Sequence, residues 1–189
     1  MKKLIVTLAI VFASVSVSRA QDVFEKGDFV AHVGLGLGTY LKLFGYKTSV
    51  PPILTSGEYC ITNALINNGK GYVGVGGYLA YTSYKHDWGT WLGEEAGWKT
   101  SYIIFGARGA FHYQLVDNLD TYAGVMLGYQ VASTSYYGPS GWTGDADVDN
   151  SIADSYFVGA RYYFTDNIAA FAELGYGIAA LEFGLAIKF

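Results

Sequence analysis

The last nine residues, Leu181-Glu-Phe-Gly-Leu-Ala-Ile-Lys-Phe189, alternate without a break. Leu181, Phe183, Leu185, Ile187 and Phe189 fall on one side; Glu182, Gly184, Ala186 and Lys188 fall on the other. Period-two alternation predicts a β-strand with one wholly apolar face. The pattern recurs along the chain and predicts eight strands, over about 28–39, 52–62, 71–82, 99–113, 120–132, 153–164, 168–177 and 180–189. In the first, Phe29, Ala31, Val33, Leu35 and Leu37 oppose His32, Gly34, Gly36 and Gly38. In the third, Val73, Val75, Leu79 and Tyr81 oppose Gly74, Gly76, Tyr78 and Ala80. The fifth sets Val125, Leu127, Tyr129 and Val131 against Gly124, Met126, Gly128 and Gln130. The sixth sets Tyr156, Val158, Ala160, Tyr162 and Phe164 against Phe157, Gly159, Arg161 and Tyr163. The second strand is the weakest, because Pro51-Pro52 opens it. Helical periodicity is almost absent, so the chain reads as all-β.

An amphipathic strand fits two opposite architectures. In a soluble barrel the apolar face points inward; in a membrane barrel it points outward at lipid. The opposing faces decide between them. They are mostly Gly, Ala and Ser, with a few charges: Glu58, Arg108, Arg161, Glu173 and Glu182. Water-facing strand surfaces are built from Lys, Glu, Asp and Thr, and glycine there weakens a strand and packs nothing. Inside a narrow barrel, small residues make room for bulky ones and opposite charges can pair. The apolar faces therefore point at lipid, and a secreted lipocalin-like barrel is the reading set aside.

The links between strands agree. Those at about 40–51, 83–98 and 133–152 are long, whereas 63–70, 114–119 and 165–167 are short; the last two strands meet in a tight turn near Ile178–Ala180. Alternation puts the long links at one end, as in outer-membrane barrels with an even number of strands. Trp88, Trp91, Trp98 and Trp142 all lie in or beside the long links, some expected in an outer aromatic girdle and others on the loop surface.

The N-terminus adds a direction. Lys2 and Lys3 precede an apolar run from Leu4 to Val17, then Ser18-Arg19-Ala20 and polar Gln21-Asp22. This is the layout of a secretory signal peptide with cleavage between Ala20 and Gln21. The run is shorter than the roughly 20 residues of a spanning helix. No cysteine follows it, against a lipoprotein. The expected domains are a signal peptide over 1–20 and a barrel over 21–189. Of 12 basic and 16 acidic residues, the signal carries Lys2, Lys3 and Arg19, which leaves nine bases against sixteen acids and a net charge of −7. Nucleic acid is excluded as a partner by that charge. Cys60 is the single cysteine, so no intrachain disulfide forms.

Tyr162-Tyr-Phe-Thr-Asp-Asn-Ile-Ala-Ala-Phe-Ala-Glu-Leu-Gly-Tyr-Gly177, running into the strand that ends at Phe189, resembles the final hairpins of the small outer-membrane β-barrel family related to the OmpA transmembrane domain and OmpX. The resemblance implies an eight-stranded antiparallel up-and-down transmembrane barrel in the outer membrane. It also implies insertion by the β-barrel assembly machinery, which in this family reads a terminal strand such as Phe183, Leu185, Ile187 and Phe189. The chain departs from full-length OmpA by ending at Phe189 without a peptidoglycan-binding domain, so no cell-wall anchoring is expected.

Four sets of residues suggest chemistry. Glu58, Arg108, Arg161 and Glu173 face inward toward the short-link half, where two acids and two bases are expected to form a mutually satisfied plug. Their alternative is an ion pathway opened by switching pairs. Asp145, Asp147 and Asp149 have the one-three-five spacing of a calcium loop, but Asn150 and Tyr156 replace the required Gly and Glu, so a solvated acidic loop is expected. Glu94-Glu95 reads the same way. His32 and His112 point inward and His86 lies in a link; no spacing assembles a Ser-His-acid set. Phe111-His112-Tyr113-Gln114 lacks the serine of lipid A deacylase barrels, and Gly34-Leu-Gly36-Leu-Gly38 opens no helix, against a nucleotide fingerprint. The expectation is a monomeric surface-interaction barrel without cofactor or metal. It would contact outer-membrane lipid and lipopolysaccharide and meet an unidentified extracellular ligand through its loops. A narrow or gated pore is the alternative, followed by a lipid-modifying enzyme.

Overall fold

Nine strands form in the computed structural model, which describes residues 23–38, 47–66, 69–91, 94–138, 145–146 and 150–189. They are β1 (Phe29–Leu37), β2 (Lys47–Cys60), β3 (Tyr72–Trp91), β4 (Glu94–Val116), β5 (Leu119–Tyr137), β6 (Asp145–Ala146), β7 (Ser151–Tyr163), β8 (Ile168–Tyr176) and β9 (Leu181–Lys188). All except β6 pair antiparallel with their neighbours around a closed eight-stranded barrel; β6 adds only a short pairing to Thr134 and Ser135 of β5. The seam is β1 against β9, from Leu37 opposite Leu181 down to Val30 opposite Lys188. Phe189 completes it: its N–H donates to the Phe29 carbonyl (2.8 Å) and its carbonyl accepts from the Phe29 N–H (3.3 Å).

The inversion predicted from the alternation is present. Leu127, Val33 and Leu185 are 65%, 58% and 54% exposed, while Glu58 and Arg161 are fully buried. Water would not tolerate a continuous apolar belt of this kind, since soluble monomers rarely expose patches beyond a few hundred Å². A lipid environment removes that cost, and closure satisfies the backbone of every wall strand. The architecture is an all-β up-and-down transmembrane barrel.

Two ends are distinct. The turn end carries the short links, including Asp117-Asn118 between β4 and β5, where Asn118 adopts a left-handed φ of 62° that asparagine tolerates in a tight hairpin. The loop end departs from expectation. Residues 83–98 are not a long link, because β3 and β4 stay paired up to Trp91 opposite Glu94. Likewise β5 continues to Tyr137. The apolar alternation stops there, but Tyr, Thr, Ser and Trp are good strand formers and the backbones keep pairing beyond the apolar belt. Strand β2 begins at Lys47 rather than 52, and Pro51-Pro52 sits inside it. The ladder slips between Thr48 and Val50 and again between Val50 and Ile53, as expected where prolines cannot donate. Ala20 and Gln21, at the expected cleavage, lie outside the described residues.

Candidate functional site

The lumen is filled in tiers. Nearest the turn end, Arg161 lies between two carboxylates. Its Nη2 and Nε donate to Asp120 Oδ2 at 2.5 and 2.9 Å, and Nη1 lies 3.8 Å from Glu58 Oε2. His112 bridges the same two acids, with Nε2 2.5 Å from Glu58 Oε1 and Nδ1 3.0 Å from Asp120 Oδ2. Arg161 Nη2 also lies 2.9 Å from His112 Nδ1, so the guanidinium, the imidazole and the two carboxylates interlock. Arg161 and His112 thus hold both acids in place. Removing one partner would strand the others without water.

The middle tier is Arg108 with Glu173. Arg108 Nη2 donates to Glu173 Oε1 at 2.8 Å, and the Tyr122 hydroxyl donates to the same oxygen at 2.9 Å. The Arg108 guanidinium lies over the Phe157 ring at 4.2 Å from its centroid. Glycines make room for these groups. A Cβ on Gly159 would stand 2.6 Å from the Tyr122 ring, and one on Gly74 would collide with the Glu58 carboxylate.

His32 joins the tiers without becoming a base. Arg161 Nη1 approaches its Nε2 at 3.2 Å, so that nitrogen accepts and Nδ1 carries the proton, donated to Ser56 Oγ at 2.9 Å. A histidine in this tautomer cannot take a proton from Ser56, so the pair is structural rather than nucleophilic.

A segment ahead of β1 closes the turn end. Phe24 is buried, its ring 4.2 Å from that of His112 and 4.9 Å from the Arg161 guanidinium carbon. The Val23 N–H donates to Gln114 Oε1 at 3.2 Å.

The loop-end half is open by contrast. A cavity of about 340 Å³ is lined by residues including Tyr78, Tyr84, Tyr102, Gln130, Asp154 and Tyr176. Beneath it, a pouch of about 20 Å³ is bounded by Tyr78, Arg108, Glu173 and Glu182 among others. The Tyr78 hydroxyl donates to Glu182 Oε1 at 2.8 Å across the lumen.

Above the apolar belt the outer surface changes in rows. Ile53, Tyr81, Ile103 and Val131 stand side by side as a final apolar row across β2–β5. The row above holds Ser83, Ser101 and Ser133; the next holds Lys47, Lys85, Lys99 and Ser135. Higher still, Lys47 Nζ donates to Asp87 Oδ2 at 2.7 Å, and the Tyr137 hydroxyl donates to Asp87 Oδ1. Lys85 Nζ sits 5.2 Å from the Tyr137 ring centroid. Hydrogen bonds from Lys47 and then Tyr137 hold Asp87 below the usual carboxylate range, and the bond to Asp87 raises Lys47. Partial burial, with Asp87 beside it, pushes the Tyr137 hydroxyl up to about 12.

The alternation thus places Glu58, Arg108, Arg161 and Glu173 inside, together with His32 and His112. Glu58 and Arg161 lie near the turn-end termini of β2 and β7; Arg108 and Glu173 stand higher, further from the turn-end termini of β4 and β8. The pairing is Arg161 with Asp120 and Glu58, and Arg108 with Glu173. Asp120 and Phe24 were not foreseen. Asp120 opens β5 in phase with Tyr122 and Gly124, and that phase was the available signal; Phe24 precedes every alternating segment and had none. Phe183, Leu185, Ile187 and Phe189 all point outward. At the loop end of the belt Tyr81, Tyr129, Tyr156 and Tyr176 face outward as an aromatic girdle. Trp98 sits above the belt with its ring 5.7 Å from Tyr136, the side chains of Trp88 and Trp91 are not described, and Trp142 lies outside the described residues. Asp147 and Asp149 also lie outside them, and no metal-holding group of His, Cys, Asp and Glu occurs among the described residues.

No protein-family model and no curated protein matches the chain. Solved structures do. Ail, the attachment invasion locus protein of Yersinia pestis, in complex with the heparin analogue sucrose octasulfate, matches with a TM-score of 0.52 at 11% identity, over 87% of this chain and 99% of that one. The N-terminal β-barrel domain of Pseudomonas aeruginosa OprF matches at 17% identity with a TM-score of 0.43, over 87% and 98%. The chain has the fold of the small eight-stranded outer-membrane β-barrels.

Proposed function

We propose that the protein is a surface-interaction module of a Gram-negative outer membrane, in which the barrel is the anchor and the loop end meets the partner. One observation carries this reading: β3, β4 and β5 stay paired for several rows beyond the last apolar row. They present an ordered polar crown outside the membrane. Such a projection has no anchoring use, and binding surfaces are commonly built on rigid scaffolds in this way. The lysine row at its base stands where the phosphates of lipopolysaccharide meet the apolar belt, and charge complementarity supports contact there. Residues 1–20 are read as the export signal, removed between Ala20 and Gln21. The outward Phe183, Leu185, Ile187 and Phe189 are read as the strand recognised by the β-barrel assembly machinery, because Phe189 closes the seam that insertion must complete last.

The tiered lumen weighs against a pore, since side chains of Glu58, Asp120, His112 and Arg161 meet across it. The tautomer of His32 weighs against a Ser-His enzyme. The crown reading is tested by replacing residues 86–98 with an Asn-Gly turn and comparing cells that display either form on heparin-coated and host-cell surfaces. Loss of adhesion with normal surface expression is expected; equal adhesion by the shortened form would sink the proposal.

A further inference from the structure

Among the described residues, each inner carboxylate has a basic side chain beside it except Glu182. Arg161 and His112 face Glu58 and Asp120, Arg108 faces Glu173, and at the turn-end rim Lys188 lies 3.7 Å from Asp28. Glu182 is left with the Tyr78 hydroxyl alone as its polar partner, directly across the ladder from the already paired Glu173. It bounds the pouch that continues the loop-end cavity downward, with Tyr78, Met126, Ser155 and Tyr176 lining both. The cavity's described lining includes no Lys or Arg, and Arg108, which bounds the pouch, is already paired with Glu173. The walls are aromatic: Tyr78, Tyr84 and Tyr102, with the Tyr84 and Tyr102 rings edge-on at 6.0 Å.

An acidic floor beneath tyrosine walls is the chemistry that recognises an organic ammonium ion. The carboxylate supplies the counter-charge, and the negative ring faces attract an alkylated cation that has lost much of its water. The cavity is at the small end of ligand pockets, which suits a headgroup-sized molecule. We propose that the loop-end cavity binds a small alkylammonium cation, with Glu182 as its counter-ion and Tyr78, Tyr84 and Tyr102 as its walls. An inorganic divalent ion fits poorly, because it demands several converging oxygens, commonly more than one of them carboxylate, and Glu182 is the one inward carboxylate here without a basic partner. The site lies inside the barrel, below the crown, and does not depend on what the crown binds.

The test uses the full mature chain refolded in a neutral maltoside detergent, titrated with choline and with its neutral tert-butyl analogue and followed by amide and tyrosine NMR shifts. Saturable shifts at Tyr78, Tyr84, Tyr102 and Glu182 are expected with choline and not with the neutral analogue. Glu182→Gln should weaken binding by about tenfold or more, the scale of a lost, partly desolvated charge contact. Tyr102→Leu leaves every inner carboxylate in place, so it keeps the test decisive should Glu182→Gln fail to fold; it should weaken choline about threefold. Equal shifts from both compounds, equal affinity in Glu182→Gln, or no saturable shift would each overturn the proposal.

Discussion

The two halves of this lumen are built from the same strands and behave as opposites. Toward the turn end, Arg161 is fully buried among Asp120, Glu58, His32 and His112, and Phe24 lies against it as a cap. Toward the loop end the strands carry tyrosine, threonine and serine, a cavity opens, and one carboxylate stands without a basic partner. The packed half holds the barrel shut and fixes its register; the open half leaves space that stability does not need. Stability and recognition are therefore separated along the barrel axis, and substitutions in the two halves should have different consequences.

The largest effect is expected from Arg161→Met. It leaves Asp120 and Glu58 buried without their main cation, a loss of about 3–5 kcal/mol. Urea unfolding in lipid vesicles, read by heat-modifiable gel mobility, measures it; a loss under about 1 kcal/mol would mean the lower tier is not the structural centre. Phe24→Ala comes next, at roughly 3 kcal/mol from the emptied cap. A stability equal to that of the parent would show that the segment ahead of β1 merely rests against the lumen.

The smallest effect belongs to the crown, where Lys47 is exposed, Asp87 is only half-buried and their pairing is screened. What changes is titration. Asp87 is depressed, so whatever it contributes is present above the ordinary carboxylate range and is lost as pH falls through its lowered value. Lys47 and Tyr137 are raised, so their contributions hold at neutral pH and are lost as pH rises, for Tyr137 between about 10 and about 12. Carbon-13 tyrosine NMR should therefore find Tyr137 ionising near 12 and moving down in Asp87→Asn. An unshifted Tyr137 would contradict the Asp87 contact.

Much of the barrel was legible in the chain because lipid and lumen impose opposite demands on alternate residues. Val33 and His32, or Val158 and Arg161, reveal their sides by phase alone. The extent of β3 to β5 was not legible, because outside the membrane neither face must be apolar. Ser83, Lys85 and Asp87 therefore continue a strand without continuing its pattern. The inner acids and bases were readable as inward-facing, but their partners were not. Pairing depends on how far each strand is staggered against the next, which is why Asp120 rather than Glu58 makes the closest contacts to Arg161. Phe24 belongs to no strand, and only the closed barrel gives it a place to bury.

The central claim is that the lumen is sealed by its lower tiers and that the barrel serves as an anchor. Conductance of the refolded wild-type protein in planar bilayers tests it most directly. The account predicts traces indistinguishable from bare membrane across applied voltages; discrete, voltage-stable openings in the wild type would contradict it.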